Sequence, residues 1–303
     1  MNEEKRTGQL VLVATPIGNL GDVSDRARAV LRSADIICAE DTRRTRKLLS
    51  ALAIPAGRRL VSLHSHSEVE RTPQVIAWVA EGRTVALVSD AGVPVISDPG
   101  QRLVREAARH GCQVTAVPGP SALLTALAVS GLPADRFCFE GFLPRRGAER
   151  RRCLEALASE QRTCVLFEAP GRLHPTLCEL LERCGDRDIA IARELTKVHE
   201  EVWRGSLARA VEAFARRAVR GEVVIVLGGK APGAETPSDV EVRRALEERL
   251  SAGEGPRKAA ETVADELGVP RRRAYRIALV ARHETPGTLP PCHPSTSPPP
   301  STT

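Results

Sequence analysis

Three short loops rich in glycine, proline and other small residues each follow a strand-like apolar run. They are residues 14–22 (ATPIGNLGD), 88–100 (VSDAGVPVISDPG) and 117–122 (VPGPSA). Small residues let the backbone approach a ligand closely, and Asp90 in the second loop could accept hydrogen bonds or face a cation. None of the loops has the GxGxxG or GxxxxGK[ST] pattern of nucleotide-binding loops. They favour a small-molecule site at strand ends, with plain structural turns as the alternative.

The segments around these loops predict a layered α/β fold. Five Val-, Ile- and Leu-rich runs predict parallel strands covered on both faces, namely residues 9–14, 35–39, 60–64, 84–89 and 112–117. Amphipathic segments alternate with them, and we expect Ser24 to cap the first helix and Asp98 to cap a helix over residues 100–110. The alternation predicts an N-terminal α/β domain over residues 1–117.

A second α/β domain is predicted over residues 118–230. Its strand-like runs are residues 136–141, 163–168, 188–192, 200–204 and 222–227. The runs at 188–192 and 200–204 leave little room for a helix between them, so they predict an antiparallel hairpin and therefore a mixed sheet. The third small-residue loop lies at the boundary between the two domains, where pockets are common.

The last sixty-odd residues differ in character. Residues 239–283 predict a small basic helical region, similar to a helix-turn-helix, with a sharp break at residues 267–270. Every formal charge from residue 270 to residue 283 is positive. Residues 284–303 are rich in Pro, Ser and Thr and predict a disordered tail.

Composition narrows the classes of function. The net charge of +6 mildly indicates an anionic partner, while an aromatic content of only 3% argues against an RNA reader built on stacking. The eight cysteines form no CxxC, so we expect buried thiols in a reducing compartment and no metal site. No apolar run reaches the ~20 residues of a membrane span and the first residues lack a signal-peptide core, which predicts a cytoplasmic protein.

Five motifs, taken in order, resemble the tetrapyrrole-methylase superfamily. They are TPIGNLGD (15–22), AEDTR (39–43), SDAGVP with SDPG (89–94 and 97–100), PGPSA (118–122) and RELTK (193–197). The resemblance spans residues 10–229 and is closest to the branch that modifies small-subunit ribosomal RNA. It implies two αβα domains with S-adenosylmethionine between them. It also implies methylation of the 2′-hydroxyl of a cytidine ribose in the decoding region, on the RNA or the assembled subunit, by a homodimer.

Two other functions stay open at this point. One is a superfamily member that methylates a tetrapyrrole or a modified protein side chain, although the basic helical region would then have no obvious use. The other is a non-enzymatic nucleic-acid binder that acts through the helix-turn-helix. That function leaves the three small-residue loops unexplained.

The resemblance also implies positions for the cofactor. These are Pro16, Ile17, Asp90, Val93, Ser121, Ala122, Phe167, Ala192 and Val226. A ribose hydroxyl is a poor nucleophile, so a nearby base would help. Glu40 and Asp41, after the second predicted strand, are the first candidates, with Arg43 beside them. Helix capping is the alternative for Asp41 and above all for Thr42.

Basic residues on several segments predict RNA contacts. They are Arg44, Lys47, Arg145, Arg146, Lys197, Arg271, Arg272, Arg273 and Arg276, and a further run at Arg150–Arg152 follows the 145–146 pair. Each phosphate contact would add to the salt dependence of binding. The alternative for each residue is a solvated face or a local ion pair.

Overall fold

Near-continuous apolar runs build the first sheet, as the sequence predicts. Its strands are Gln9–Val13 (β1), Ile36–Ala39 (β2), Leu60–Ser62 (β3), Thr84–Val88 (β4) and Gln113–Val117 (β5). They are all parallel and lie in the order β3-β2-β4-β1-β5. The computed structural model describes residues 7–231, 238–267, 269 and 271–284, so most of the predicted tail, with Cys292, lies outside the described residues.

Helices cover both faces of this sheet. They are Asp25–Ser33 (α1), Thr42–Ala51 (α2), Glu68–Ala80 (α3) and Gln101–Arg109 (α4). Neighbouring residues of β1 point to opposite faces: Val11 packs in the cluster that contains Leu49 of α2, whereas Leu10 packs with Leu103 of α4. Burial on two faces explains why β1, β2 and β4 are almost entirely apolar. The prediction of cover on both faces is wrong for the edge strand β5, most of whose residues are exposed.

The second sheet is mixed. Its strands are Phe137–Phe142 (β6), Thr163–Glu168 (β7), Asp188–Arg193 (β8), Glu201–Ser206 (β9) and Val223–Leu227 (β10), in the order β6-β7-β10-β8-β9. β6 pairs parallel with β7 and the remaining pairs are antiparallel. The predicted β8–β9 hairpin and mixed sheet are confirmed. The helices of this half are Ala122–Ser130 (α5), Gly147–Ser159 (α6), Leu173–Cys184 (α7) and Leu207–Phe214 (α8).

Both sheets belong to one compact unit that ends at Lys230. The predicted division between residues 117 and 118 therefore stays a prediction. Within the described residues of this unit the seven cysteines carry free thiols, of which Cys38 and Cys164 are buried and the other five are partly exposed. Across the described part of the chain, no cluster of His, Cys, Asp or Glu is arranged to hold a metal ion, and no helix is long and apolar enough to cross a membrane.

A second compact unit begins at Ala231. Its described residues form three helices, Asp239–Ser251 (α9), Pro256–Leu267 (α10) and Arg271–Glu284 (α11). Ser238 and Glu241 form a reciprocal capping box at the start of α9, and Val242, Val263 and Ile277 meet in a small apolar core. The helical region has one more break than predicted, between α9 and α10.

Candidate active site

A cleft of about 410 Å³ opens where loops of the first sheet face loops of the second. Eight predicted site residues line it: Ile17, Glu40, Arg44, Asp90, Val93, Ser121, Ala122 and Phe167. The small-residue loops at 14–22, 88–100 and 117–122 thus contribute to one site, because the carboxyl ends of parallel strands share one edge of a sheet. Pro16 is half-buried and does not line the cleft.

Two other predicted cofactor contacts lie away from the wall of the cleft. Ala192 on β8 and Val226 on β10 are buried in an apolar cluster with Ala126 of α5. Both face α5 from the interior of the second sheet, so they support the wall and do not form it.

A pair of backbone hydrogen bonds joins the first two loops. The Thr15 N–H donates to the Gly92 carbonyl at 2.9 Å, and the Gly92 N–H donates back to the Thr15 carbonyl at 3.0 Å. Gly92 has φ of +82°, a conformation that side chains rarely adopt. This glycine therefore allows the two loops to meet and brings Ile17 and Asp90 to the same cleft.

Three carboxylates, Glu40, Asp90 and Asp98, crowd this side of the cleft. Asp90 Oδ1 accepts a hydrogen bond from the Asp41 N–H at 3.1 Å, and its Oδ2 lies 3.4 Å from the Arg44 guanidinium. Burial, reinforced by the charge of Asp90, raises the pKa of Glu40, and burial also raises the pKa of Asp90. Burial and the charge of Glu40 raise the pKa of Asp98 to about 6. The cluster can therefore accept or hold a proton near neutral pH.

Asp98 was expected to cap a helix, and that prediction is wrong. Helix α4 begins after Gly100, whose φ is +124° and which makes no side-chain cap. The chain turns sharply at this glycine, so Asp98 lines the cleft instead. Ser24 does cap α1, accepting from the Ala27 N–H at 3.1 Å, as predicted.

The other two predicted catalytic residues lie outside the cleft. Asp41 is the N-cap of α2, and the hydrogen bond from the Arg43 N–H at 2.7 Å is the main reason that its pKa is lowered. Capping by Thr42 is wrong, because Thr42 is the first helical residue. Arg43 and Lys47 are exposed and do not line the cleft. Of the three predicted catalytic side chains, only Glu40 faces it.

The opposite wall carries a fourth carboxylate, Glu168, at the end of β7. Glu168 is only 2% exposed. Its oxygens accept hydrogen bonds from the Ala169 N–H at 2.8 Å and the Thr176 hydroxyl at 2.6 Å, and Arg172 lies 3.3 Å away. Arg150, from the predicted basic run, is buried and donates to Thr176 Oγ1 and to the Pro144 carbonyl, both at 3.0 Å. Arg150 therefore holds the fold together and is not a surface contact for RNA.

Aromatic side chains close the cleft beside Glu168. Phe167 lies edge-on to Phe139, with ring centroids 4.9 Å apart, and 5.5 Å from Phe142. A register shift between Phe139 and Gly141 lets the half-exposed Phe142 line the cleft. Sequence reasoning missed Phe142, because the predicted strand ended at Gly141.

Of the remaining residues predicted to contact RNA, some form ion pairs with acidic side chains and others are exposed to solvent. Lys197 donates to Glu194 at 2.8 Å and to Glu222 at 3.0 Å; burial lowers its pKa, but these two hydrogen bonds outweigh burial and raise it. Arg145 and Arg146 are exposed at the start of α6. In the second unit, Arg271, Arg272 and Arg276 are exposed, and Arg271 and Arg273 pair with aspartates.

Several residues that line the cleft were not predicted from the sequence. They are Asp98, Phe142, Glu168 and Glu222, together with Ser97 and Gly221. Glu168 could have been found, because an acid that ends a buried strand opposite the first sheet is a natural site residue. Glu222 has no comparable pattern in the sequence.

Comparison with known proteins places this chain in a family. The model of the tetrapyrrole (corrin/porphyrin) methylases matches residues 9–211. The ribosomal RNA small subunit methyltransferase I of Mycobacterium tuberculosis is 49% identical over 287 residues, covering 94% of this chain and 99% of that protein. The protein of the same name from Thermotoga maritima is 50% identical over 223 residues, covering 74% of this chain and 99% of its own.

A solved structure supports the fold. A cobalt precorrin-4 methyltransferase superposes with a TM-score of 0.56 at 17% identity, covering 73% of this chain and 94% of that one. This likeness concerns architecture alone, whereas the sequence matches extend over nearly the whole chain. The chain belongs to the tetrapyrrole methylase family and, within it, to the ribosomal RNA small subunit methyltransferase I group.

Proposed function

We propose that this chain transfers a methyl group from S-adenosylmethionine to the 2′-hydroxyl of a cytidine ribose in the decoding region of small-subunit ribosomal RNA. The observation that carries the proposal is the 49% identity, over 94% of the chain, to a protein named ribosomal RNA small subunit methyltransferase I. The cleft supplies the second support, since it combines a small-molecule pocket with carboxylates suited to moving a proton.

The residues of the cleft fit the cofactor. A volume of about 410 Å³ lies within the range of small-molecule sites. Its wall joins apolar surface from Ile17, Val93 and Phe167 to the polar Asp90 and Ser121, which suits a molecule with an aromatic base, a sugar and a charged amino-acid end. We therefore assign these five residues and Ala122 to cofactor binding.

S-adenosylmethionine supplies, when bound, a methyl group already activated by a sulfonium. The chain must align the acceptor oxygen and exclude water, which is mainly a proximity effect. Glu40 takes the proton from the ribose 2′-oxygen and becomes neutral, which relieves its repulsion with the Asp98 carboxylate. A base whose pKa is raised toward neutrality is suited to this step.

Exposed basic side chains support binding of the RNA. Arg145 and Arg146 are exposed at the start of α6, and Lys47 is exposed on α2. Phosphate contacts from such residues position a nucleic acid without reading its sequence. Lys197 is a weaker contributor, because two glutamates already hold its ammonium.

The test is transfer of a labelled methyl group from S-adenosylmethionine to small ribosomal subunits from cells that lack this protein, followed by nuclease mapping. We expect label on one cytidine ribose in the decoding region. Label on a base, on a ribosomal protein or on an added tetrapyrrole in place of the ribose would contradict the proposal. Binding of S-adenosylmethionine, measured by calorimetry, keeps a failure of the cofactor assignment separate from a failure of the substrate assignment.

Two partner and location predictions accompany this function. A homodimer stays a prediction from the family resemblance, and sedimentation of the full chain tests it. A cytoplasmic location is proposed because the substrate is ribosomal RNA.

A further inference from the structure

A groove of about 370 Å³ lies between α10 and α11 of the second unit. Arg257, Ala260 and Glu261 of α10 line one side, and Arg271, Arg272 and Tyr275 of α11 line the other. Three arginines around one aromatic ring give this groove a positive and partly apolar character. Neither the cleft nor the proposed chemistry uses it.

Beside the groove, the outer face of α11 carries further exposed residues. Arg272, Tyr275, Arg276 and Leu279 are exposed, and their spacing of three and four residues places them on one stripe. Tyr275, the one tyrosine of the chain, is 42% exposed. The stripe is not needed for the core of the unit, which α11 supplies from other positions.

Charge pairing decides which arginines are available. Arg271 lies 3.2 Å from Asp265, and Arg257 lies 3.7 Å from Glu261, so each is partly neutralised. Arg273 forms an ion pair with Asp239 at 2.6 Å. Arg272 and Arg276 have no acidic partner among the residues that the structure describes, and they lie on either side of Tyr275 in the sequence.

We propose that this groove and the adjoining stripe of α11 bind one unstacked nucleotide of the RNA substrate, with its base on the Tyr275 ring and its phosphates on Arg272 and Arg276. The proposal rests on the proposed function, which makes RNA the partner. Aromatic rings stack on bases regardless of sequence, and guanidinium groups bind phosphate bidentately. The low aromatic content of the chain predicts no array of stacking rings. One exposed tyrosine beside Arg272 and Arg276, which lie one helical turn apart, fits a single nucleotide.

The test compares four variants of the full chain: Tyr275→Leu, Tyr275→Phe, Arg272→Ala and Arg244→Ala. Arg244 is a matched control, because it is an exposed arginine of the same unit on α9 and outside the groove. Two readouts are used. One is the KM and kcat of methyl transfer to small ribosomal subunits, and the other is binding to a short single-stranded RNA that contains 2-aminopurine, whose fluorescence is quenched by stacking.

We expect Tyr275→Leu to weaken oligonucleotide binding about ten-fold and to abolish the quenching, while Tyr275→Phe stays within about two-fold of wild type. Arg272→Ala should lower the slope of log affinity against log salt by about 0.7, and Arg244→Ala should change neither readout. The effect on transfer should appear in KM for subunits, with kcat and cofactor affinity unchanged. Circular dichroism verifies that each variant is folded.

Three results would overturn the nucleotide site. Tyr275→Leu could behave like Arg244→Ala, Tyr275→Phe could fail as badly as Tyr275→Leu, or the loss could appear with subunits and not with the oligonucleotide. The last result would assign the groove to a ribosomal protein. If wild type transfers no methyl group to RNA, the proposed function fails, and the oligonucleotide titration still decides the groove.

Discussion

The two walls of the cleft hold their carboxylates in opposite ways. On the first-sheet wall, Glu40 and Asp98 are partly buried beside a further acid, and burial raises the pKa of both. On the second-sheet wall, Glu168 is buried more deeply, yet a backbone N–H, a hydroxyl and the Arg172 guanidinium all satisfy it. Burial alone therefore does not set the role of an acid. The hydrogen bonds and positive charges around the acid do. A buried carboxylate with enough donors stabilises the fold, whereas one with too few donors can take up a proton.

The largest expected effect is on the first-sheet wall. Glu40→Gln keeps the size of the side chain and removes the proton acceptor, so kcat should fall about 100-fold or more with KM little changed. Methyl transfer to small ribosomal subunits at saturating substrate measures it. Glu81→Gln, in an exposed pair with Arg83, is the matched control and should leave kcat unaltered. A near-normal rate of Glu40→Gln at every pH would remove Glu40 from the mechanism.

The second prediction concerns Glu168 and separates stability from catalysis. Glu168→Gln leaves the buried Thr176 hydroxyl and the partly buried Arg172 guanidinium without a charged acceptor, and the free energy of unfolding should fall by about 3 kcal/mol. Denaturant unfolding measures the change. Glu179→Gln, which alters the more exposed partner of Arg150, should cost less than about 1 kcal/mol. If Glu168→Gln instead keeps the stability of wild type and lowers kcat, Glu168 acts in catalysis and not in stabilising the fold.

Features that depend on neighbouring residues could be predicted from the sequence, whereas features that depend on distant segments could not. Strands and the β8–β9 hairpin were predictable, because apolar runs and short connections are local features. The three small-residue loops led to one cleft, since parallel strands end at a shared edge. Asp98 and Arg150 were assigned wrongly, because their roles depend on contacts between distant segments. A cap needs only its own helix, whereas the surroundings of Asp98 come from Glu40, some sixty residues earlier in the chain.

A smaller effect is expected for stability at Asp98. Its pKa in the folded chain is about 6, above the ordinary value of an aspartate, so the folded state binds the proton more tightly than the unfolded state. The stabilisation is complete below about pH 4 and is lost as pH rises through about 6. Asp98→Asn should therefore raise the unfolding free energy by about 1 kcal/mol near pH 8, once solvent screening is allowed for, and change it little at low pH. A variant that is less stable than wild type at high pH would show that ionised Asp98 has a partner.

The smallest expected effect is a shift in the pKa of Glu40 when one of its acidic neighbours is neutralised. Burial is the main cause of its raised pKa, the charge of Asp90 comes next and that of Asp41 contributes least, while Arg44 acts in the opposite direction. Asp90→Asn removes one negative neighbour and frees Arg44, so the pKa of Glu40 should fall and the rise of kcat with pH should move to lower pH. Asp41→Asn, which can still cap α2, should move it less.

Profiles of kcat from about pH 5 to about pH 8, at saturating S-adenosylmethionine, measure both shifts. Saturation matters because Asp90 also lines the pocket proposed for the cofactor, and a weaker complex would otherwise distort the profile. A shift toward higher pH in Asp90→Asn, or a larger shift in Asp41→Asn, would mean that the titrating group is not Glu40. The charge of Glu40 raises the pKa of Asp98, and the charge of Asp90 raises it less. A kcat profile that still rises with pH in Glu40→Gln, but at lower pH than in wild type, would therefore transfer the proton-accepting role to Asp98.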